Sequence, residues 1–179
     1  MLANFALQSA LDEQRQKDLY RQLTPINQGV TPTIDIDGKT YVNFASNDYL
    51  GLATDPQLIQ AFSQAAKTIQ QVGSGASHLI TGHTLWHEQL DTTLAQVTGY
   101  ERALTFSTGY MANVGVIQAL CGKDSVIFSD KLNHASIVDG AILSRAKVIR
   151  FGHRNYSQLE QLLSQSSAKQ KLIVTDHIF

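Results

Sequence analysis

The spacing of apolar residues divides the chain into stretches with different periods. Residues 5–23 are polar with scattered leucines, a pattern that predicts a lightly packed amphipathic helix, and Pro25 stops it soon afterwards. In TPTIDIDGKTYVNF, two β-favouring runs flank Asp37-Gly38, which suits a two-residue turn with positive φ at both central positions, so a hairpin is expected. Leu58, Phe62, Ala65, Ala66 and Ile69 then recur at helical spacing between Pro56 and Val72, and the glycine-rich loop GSGASHLITG follows. Trp86, Leu90, Leu94 and Val97 mark another helix, with Gly99 placed to end it in the left-handed conformation.

Beyond Gly99 the pattern becomes regular. RALTF, SVIFS, KVIRF and KLIVT read as four short strands, and the segments between them carry helical spacing. Met111, Val114, Ile117 and Cys121 share a helical face closed by Gly122, and Ser157 to Glu160 forms a capping box ahead of Leu162 and Leu163. Alternating β and α predicts an α/β fold: a mostly parallel sheet with flanking helices. KLIVTDHIF stops directly after a predicted buried strand, so the sheet is expected to be incomplete in this chain.

Composition narrows the function class. At 179 residues and 43% hydrophobic, the chain can bury a core. With 14 basic against 15 acidic residues, it offers no electrostatic case for nucleic acid or an anionic membrane surface. Its single cysteine, Cys121, reads as a small core residue in a reducing compartment. The N-terminus lacks a secretory pattern and no stretch reaches the length of a membrane span, so a cytoplasmic protein with small-molecule or protein partners is expected.

Two polar stretches follow predicted strands. In Phe106-Ser-Thr-Gly-Tyr-Met-Ala-Asn113, Thr108, Gly109 and Tyr110 would open a helix, where free N–H groups and the dipole favour a phosphate and glycine permits close approach. Taken alone, such a segment reads as an ordinary strand-to-helix turn. In Ser129-Asp-Lys-Leu-Asn-His-Ala-Ser136, His134 could stack on a planar cofactor or polarise a carbonyl; equally, it could be a solvated or helix-starting residue. Ligands of open parallel sheets collect at the carboxyl ends of strands, so both loops point to one crevice. GSGASHLITGH carries Gly73 and Gly75, but His78 replaces the third glycine and no strand precedes it, which excludes a dinucleotide fingerprint. His83, His87 and Glu88 invite a zinc reading, yet no cysteine or further histidine cluster completes the set.

In order and spacing, SNDYLGL, GSGASHLITGH, HEQLD, FSTGYMAN, SDKLNHASIVDGA and RFGH resemble the α-oxoamine synthases over nearly the whole chain. The resemblance implies the fold-type I architecture of pyridoxal-phosphate (PLP) enzymes, with a seven-stranded, mainly parallel sheet and an active site at a homodimer interface. Residues 1–45 would belong to the smaller domain and residues 46–179 to the first half of the PLP-binding domain. By the same resemblance, Gly109 and Tyr110 contact the cofactor and its phosphate, and His134 stacks on the pyridine ring and helps place the substrate carbonyl. Arg21, otherwise a solvated helix charge, and Asn47 would contact substrate. The wording GSGASH and TGH, with Arg21 four residues before Pro25, is most similar to members that condense L-alanine with a pimeloyl thioester, losing carbon dioxide. A member using glycine and a shorter thioester, or a non-catalytic interaction module, are the alternatives. The family's Schiff-base lysine and the aspartate that pairs with the pyridine nitrogen belong after position 179, so the chain alone is expected to lack turnover.

Overall fold

The computed structural model describes residues 7–26 and 31–177. The expected start of the first helix at residues 5 and 6, and the last two residues of KLIVTDHIF, lie outside them. The chain divides into two compact units, Met1–Gly73 and Ser74–Phe179, each described by itself.

In the first unit, α1 spans Leu7–Gln16, shorter than the expected 5–23. Asp18 takes a left-handed φ of 54°, and the Leu19 N–H turns back to the Gln14 carbonyl, closing the helix before Tyr20. Arg21 lies in the exposed, irregular segment that follows. β1 (Thr33–Ile36) and β2 (Lys39–Val42) form the hairpin, and Asp37 and Gly38 have φ of 50° and 75°, as a type I′ turn requires. In SNDYLGL, the Asp48 carboxylate accepts from the Leu52 N–H at 2.9 Å and caps the single 3₁₀ turn Leu52–Thr54, and Asn47 is exposed in the preceding irregular loop. α2 spans Pro56–Ile69; Asp55 caps it by accepting from Gln57 and Leu58 N–H. Its expected inner face stands open, with Phe62 79% exposed, and no described residue of this unit is buried.

The second unit holds the sheet. α3 spans Leu85–Thr98 and ends at Gly99, φ 76°. α4 spans Gly109–Leu120, β3 Ser125–Asp130, α5 Ala135–Leu143, β4 Lys147–Phe151, α6 Tyr156–Gln165 and β5 Gln170–Val174. The strands run parallel in the order β4-β3-β5, with β3 buried along its whole length. Alternation along β3 divides the core between two faces. Ile127 meets Ile117 and Cys121 of the α4 segment and Ile137 and Ala141 of α5, while Val126 and Phe128 meet Phe151 and the α6 leucines 159, 162 and 163. Full burial of Phe128 or Ile127 contributes about 1.5–3 kcal/mol each.

Three local expectations are corrected. RALTF forms no strand: β3, β4 and β5 pair among themselves, so residues 102–106 have no ladder neighbour, and the Thr105 N–H goes to the Asp91 carboxylate at 3.0 Å instead. α4 ends at an extended Cys121, φ −130°, before Gly122 is reached. α6 is capped by Asn155, whose side chain accepts from Gln158 N–H, so the helix starts ahead of the expected box at Ser157.

Candidate active site

Two helix starts and one strand end converge. Thr108 caps α4 through its hydroxyl, which accepts from Met111 N–H at 3.2 Å. That satisfies the third amide of the helix and leaves the Gly109 and Tyr110 N–H groups without a partner among the described residues. A Cβ on Gly109 would meet nothing within 4 Å, so the approach to these amides is open. His134 caps α5, its Nδ1 accepting from Ser136 N–H at 3.1 Å. The Asp176 carboxylate, just past β5, accepts from the His134 backbone N–H at 2.7 Å. Gly109, Tyr110, Asn113, Leu132, His134, Ser136 and Asp176 line one cavity of about 470 Å³, within the size range of ligand sites.

The cavity sits at the carboxyl ends of β3 and β5, and Asn133 ties those ends together. Its amide nitrogen donates to Ser129 Oγ at 3.0 Å and to the Val174 carbonyl at 2.9 Å, while its oxygen accepts from Asp176 N–H at 3.1 Å. Every polar atom of this buried side chain is thereby used. Across the α4–α5 contact, the Tyr110 hydroxyl donates to Asp139 at 2.6 Å. That hydrogen bond, with some burial and the negative charge of Asp139, raises the phenol above its ordinary 10.0. Gly140 permits the contact: a Cβ there would lie 3.0 Å from the Asn113 carbonyl oxygen and 3.1 Å from Val114 Cα.

A second cavity, of about 660 Å³, is lined by Asp130, Phe151, His153, Tyr156, Ile173 and Asp176, among others. Burial pushes the Asp130 carboxyl up, but the Leu132 N–H, His153 at 3.0 Å and Thr175 together outweigh it and hold the carboxyl below its ordinary 3.8. Around the glycine-rich loop, His83 Nδ1 lies 2.6 Å from His78 Nε2, and His83 Nε2 lies 3.1 Å from Glu88. Among the described residues, no group of three or more ligating side chains is arranged to hold a metal ion.

Of the residues singled out from sequence, Gly109, Tyr110 and His134 share the smaller cavity. Arg21 and Asn47 are exposed residues of the first unit. Asn113, Asn133, Ser136, Asp139 and Asp176 were not anticipated. Asp176 carried the one usable signal, a polar residue just after a predicted buried strand.

The site can do two things chemically. Free amides at the start of a 12-residue helix suit a phosphate, and an imidazole on the same cavity wall suits contact with a flat ring. PLP combines both features, and the open backbone at Gly109 leaves room for its phosphate.

Comparison with known proteins is consistent with that chemistry. The family model for aminotransferase class I and II matches residues 39–179. The chain is 50% identical over 173 residues to 8-amino-7-oxononanoate synthase of Cellvibrio japonicus (strain Ueda107), covering 97% of this chain and 43% of that protein. It is 47% identical over 179 residues to the Nitrosomonas europaea protein of the same name, covering 100% of this chain and 46% of that one. The chain thus spans less than half the length of these curated relatives. Among solved structures, serine palmitoyltransferase of Sphingomonas wittichii matches with a TM-score of 0.81 at 30% identity, over 97% of this chain and 44% of that one. A structure of SPT with PLP matches with a TM-score of 0.82 at 30% identity, over 94% of this chain and 44% of that one. No helix among the described residues is long and apolar enough to cross a membrane.

Proposed function

Because the chain belongs to the class I and II aminotransferase family, we propose that the whole protein is an 8-amino-7-oxononanoate synthase, condensing L-alanine with a pimeloyl thioester and releasing carbon dioxide. The observation that carries the reading is the meeting of the Gly109 and Tyr110 amides with His134 in one cavity, in a chain 50% identical to a synthase of that name.

PLP, when bound, supplies the electron sink for the alanine-derived carbanion. This chain's residues bind and orient. The amides of Gly109 and Tyr110 would hold the phosphate at the positive end of α4, where the helix dipole favours an anion. His134 would lie against the ring, and Asp176 fixes its backbone by accepting the His134 N–H. Asp139 holds the Tyr110 phenol in place, on the side where α4 and α5 meet. Arg21 and Asn47 are assigned to substrate. The covalent anchor and the base for the alanine Cα proton are assigned to a lysine outside these 179 residues, so the chain alone is expected to give no turnover. The working form is a cytoplasmic homodimer.

The test is the whole protein assayed with L-alanine against glycine, and with pimeloyl-CoA against acetyl-CoA. Carbon dioxide release that requires alanine and the pimeloyl thioester supports the assignment. Preference for glycine and acetyl-CoA refutes it in favour of another member of the family, and an absorbance band on adding PLP that is unchanged from that of free PLP refutes the cofactor.

A further inference from the structure

A histidine at a cofactor cavity acts according to which of its nitrogens carries the proton, and here neighbouring groups decide that. Ser136 is fully buried, 0% exposed. Its backbone N–H donates to His134 Nδ1 at 3.1 Å, and its hydroxyl lies 2.7 Å from the same nitrogen. On the far side of that hydroxyl, the Asn113 side-chain nitrogen donates to Ser136 Oγ at 2.9 Å. An amide nitrogen can only donate, so Asn113 occupies a lone pair of Oγ and leaves the hydroxyl proton free for Nδ1. The backbone N–H cannot be reversed at all. Nδ1 therefore keeps its lone pair, and the single proton of the neutral imidazole sits on Nε2.

We propose that Ser136 is a positioning residue, which with Asn113 behind it fixes both the tautomer and the ring orientation of His134, so that the ring offers an Nε2–H donor to an oxygen acceptor in the cavity. The inference rests on the assignment of His134 to the PLP site made above. Two features separate it from incidental packing. First, the chain from Asn113 to Ser136 to His134 links α4 to α5, the two helices whose first residues line the cavity, so the orientation of the ring is coupled to the position of the anion-binding amides. Second, Nε2 makes no hydrogen bond among the described residues, so the donor is left for a ligand. An oxygen acceptor is the chemical class that such a donor selects: a substrate carbonyl, a carboxylate, or an oxygen substituent of the cofactor ring. Among second-position helix residues a serine is ordinary, but one whose hydroxyl is turned inward to a capping imidazole is placed for that imidazole rather than for the helix.

The test uses the whole protein labelled with ¹⁵N-histidine. In the cofactor-free form, the His134 resonances, assigned by their loss in His134→Gln, are expected to show an unprotonated Nδ1 and a protonated Nε2; a protonated Nδ1 overturns the inference. Ser136→Ala keeps the backbone donor but removes the hydroxyl, so the ring is expected to lose its single orientation, with broadened or doubled resonances. In turnover, the same variant is expected to lower kcat by on the order of tenfold with KM nearly unchanged, the size of one well-placed hydrogen bond. Ser136→Thr restores the hydroxyl and is expected to recover both signals. Unchanged resonances and unchanged kcat in Ser136→Ala overturn the inference. If wild-type protein turns over no thioester yet shows the expected imidazole signals, the synthase reading fails and the positioning role stands.

Discussion

Replacing Gly140 by alanine sets two known magnitudes against each other at the joint that positions the site. Alanine in a helix interior is favoured over glycine by about 1 kcal/mol. Against that gain stands the space available: the new methyl would lie 3.0 Å from the Asn113 carbonyl oxygen, 3.1 Å from Val114 Cα and 3.1 Å from Ile117 Cδ1. Only the last can turn away, because the first two are backbone atoms of α4. Relief requires the whole helix to retreat by a few tenths of an ångström, and overpacking of that kind costs about 1–3 kcal/mol. The cost exceeds the propensity gain, giving a net loss of about 1 kcal/mol. The retreat would also carry Gly109 and Tyr110 away from His134, so cofactor affinity is expected to fall several-fold as well. Gly122→Ala is the control: its Cβ would meet nothing within 4 Å and its φ is not left-handed, so it is expected to match or slightly exceed wild-type stability. Urea unfolding of the whole protein and PLP titration followed by visible absorbance measure the two effects. If Gly140→Ala is as stable as Gly122→Ala and binds PLP with wild-type affinity, the claim that α4 and α5 touch closely at the site is wrong.

Three further outcomes are expected. Phe128→Ala, at a fully buried position on the central strand, is expected to cost about 3–5 kcal/mol in urea unfolding, and a loss below 1 kcal/mol would mean that β3 is not the centre of the core. The Asp130 carboxyl sits below its ordinary 3.8 in the folded state, so its contribution to stability is present above the unfolded value and lost as pH falls through the folded one; stability measured from pH 6 down to pH 2 is expected to decline less steeply in Asp130→Asn than in wild type. Tyr110 is shifted the other way. Its raised phenol pKa favours the fold below the unfolded value of 10.0, an advantage lost as pH rises through the folded value, and Asp139→Asn is expected to bring its ultraviolet titration back toward 10.0. No movement in that titration would mean that the Tyr110–Asp139 bond does not form in solution.

Features fixed by neighbours along the chain were legible in the sequence. The Asp37-Gly38 turn needs only its own two positive φ values, Gly99 ends α3 by its own left-handed conformation, and Thr108 caps α4 from the adjacent position. Gly109, Tyr110 and His134 were reachable for the same reason, since each opens a helix directly after a short β-rich or polar run. Failures arose where a distant partner decides. RALTF has the composition of a strand, but a strand exists only with a neighbour, and the three strands that pair here leave it none. Helix α1 ends early because Asp18 adopts a left-handed turn that a run of polar residues does not announce. The face of α2 is helical in period, but period alone does not say what covers it, and Phe62 stands exposed in this unit.

The residues that build the cavity wall escaped because they depend on strand order rather than on strand content. Chain order suggests β3, β4 and β5 side by side in sequence, yet β5 crosses back to pair with the other edge of β3. Moving from β3 to β4 and then back past β3 reverses the direction of travel across the sheet, and right-handed crossovers then demand helices on opposite faces. The core obeys this: α5 packs with Ile127 on one face, and α6 with Val126 and Phe128 on the other. The same reversal brings the end of β5 beside the loop after β3, so that Asp176 meets the His134 amide across 42 positions of sequence and Asn133 can bond both strand ends at once. Had β5 added beyond β4 instead, β4 would separate Asp176 from His134, and α5 would begin without its carboxylate. The site is thus a product of the crossover, and Asn133→Ala, which removes three bonds at that seam, is the substitution through which the topology itself would be felt as lost cofactor affinity.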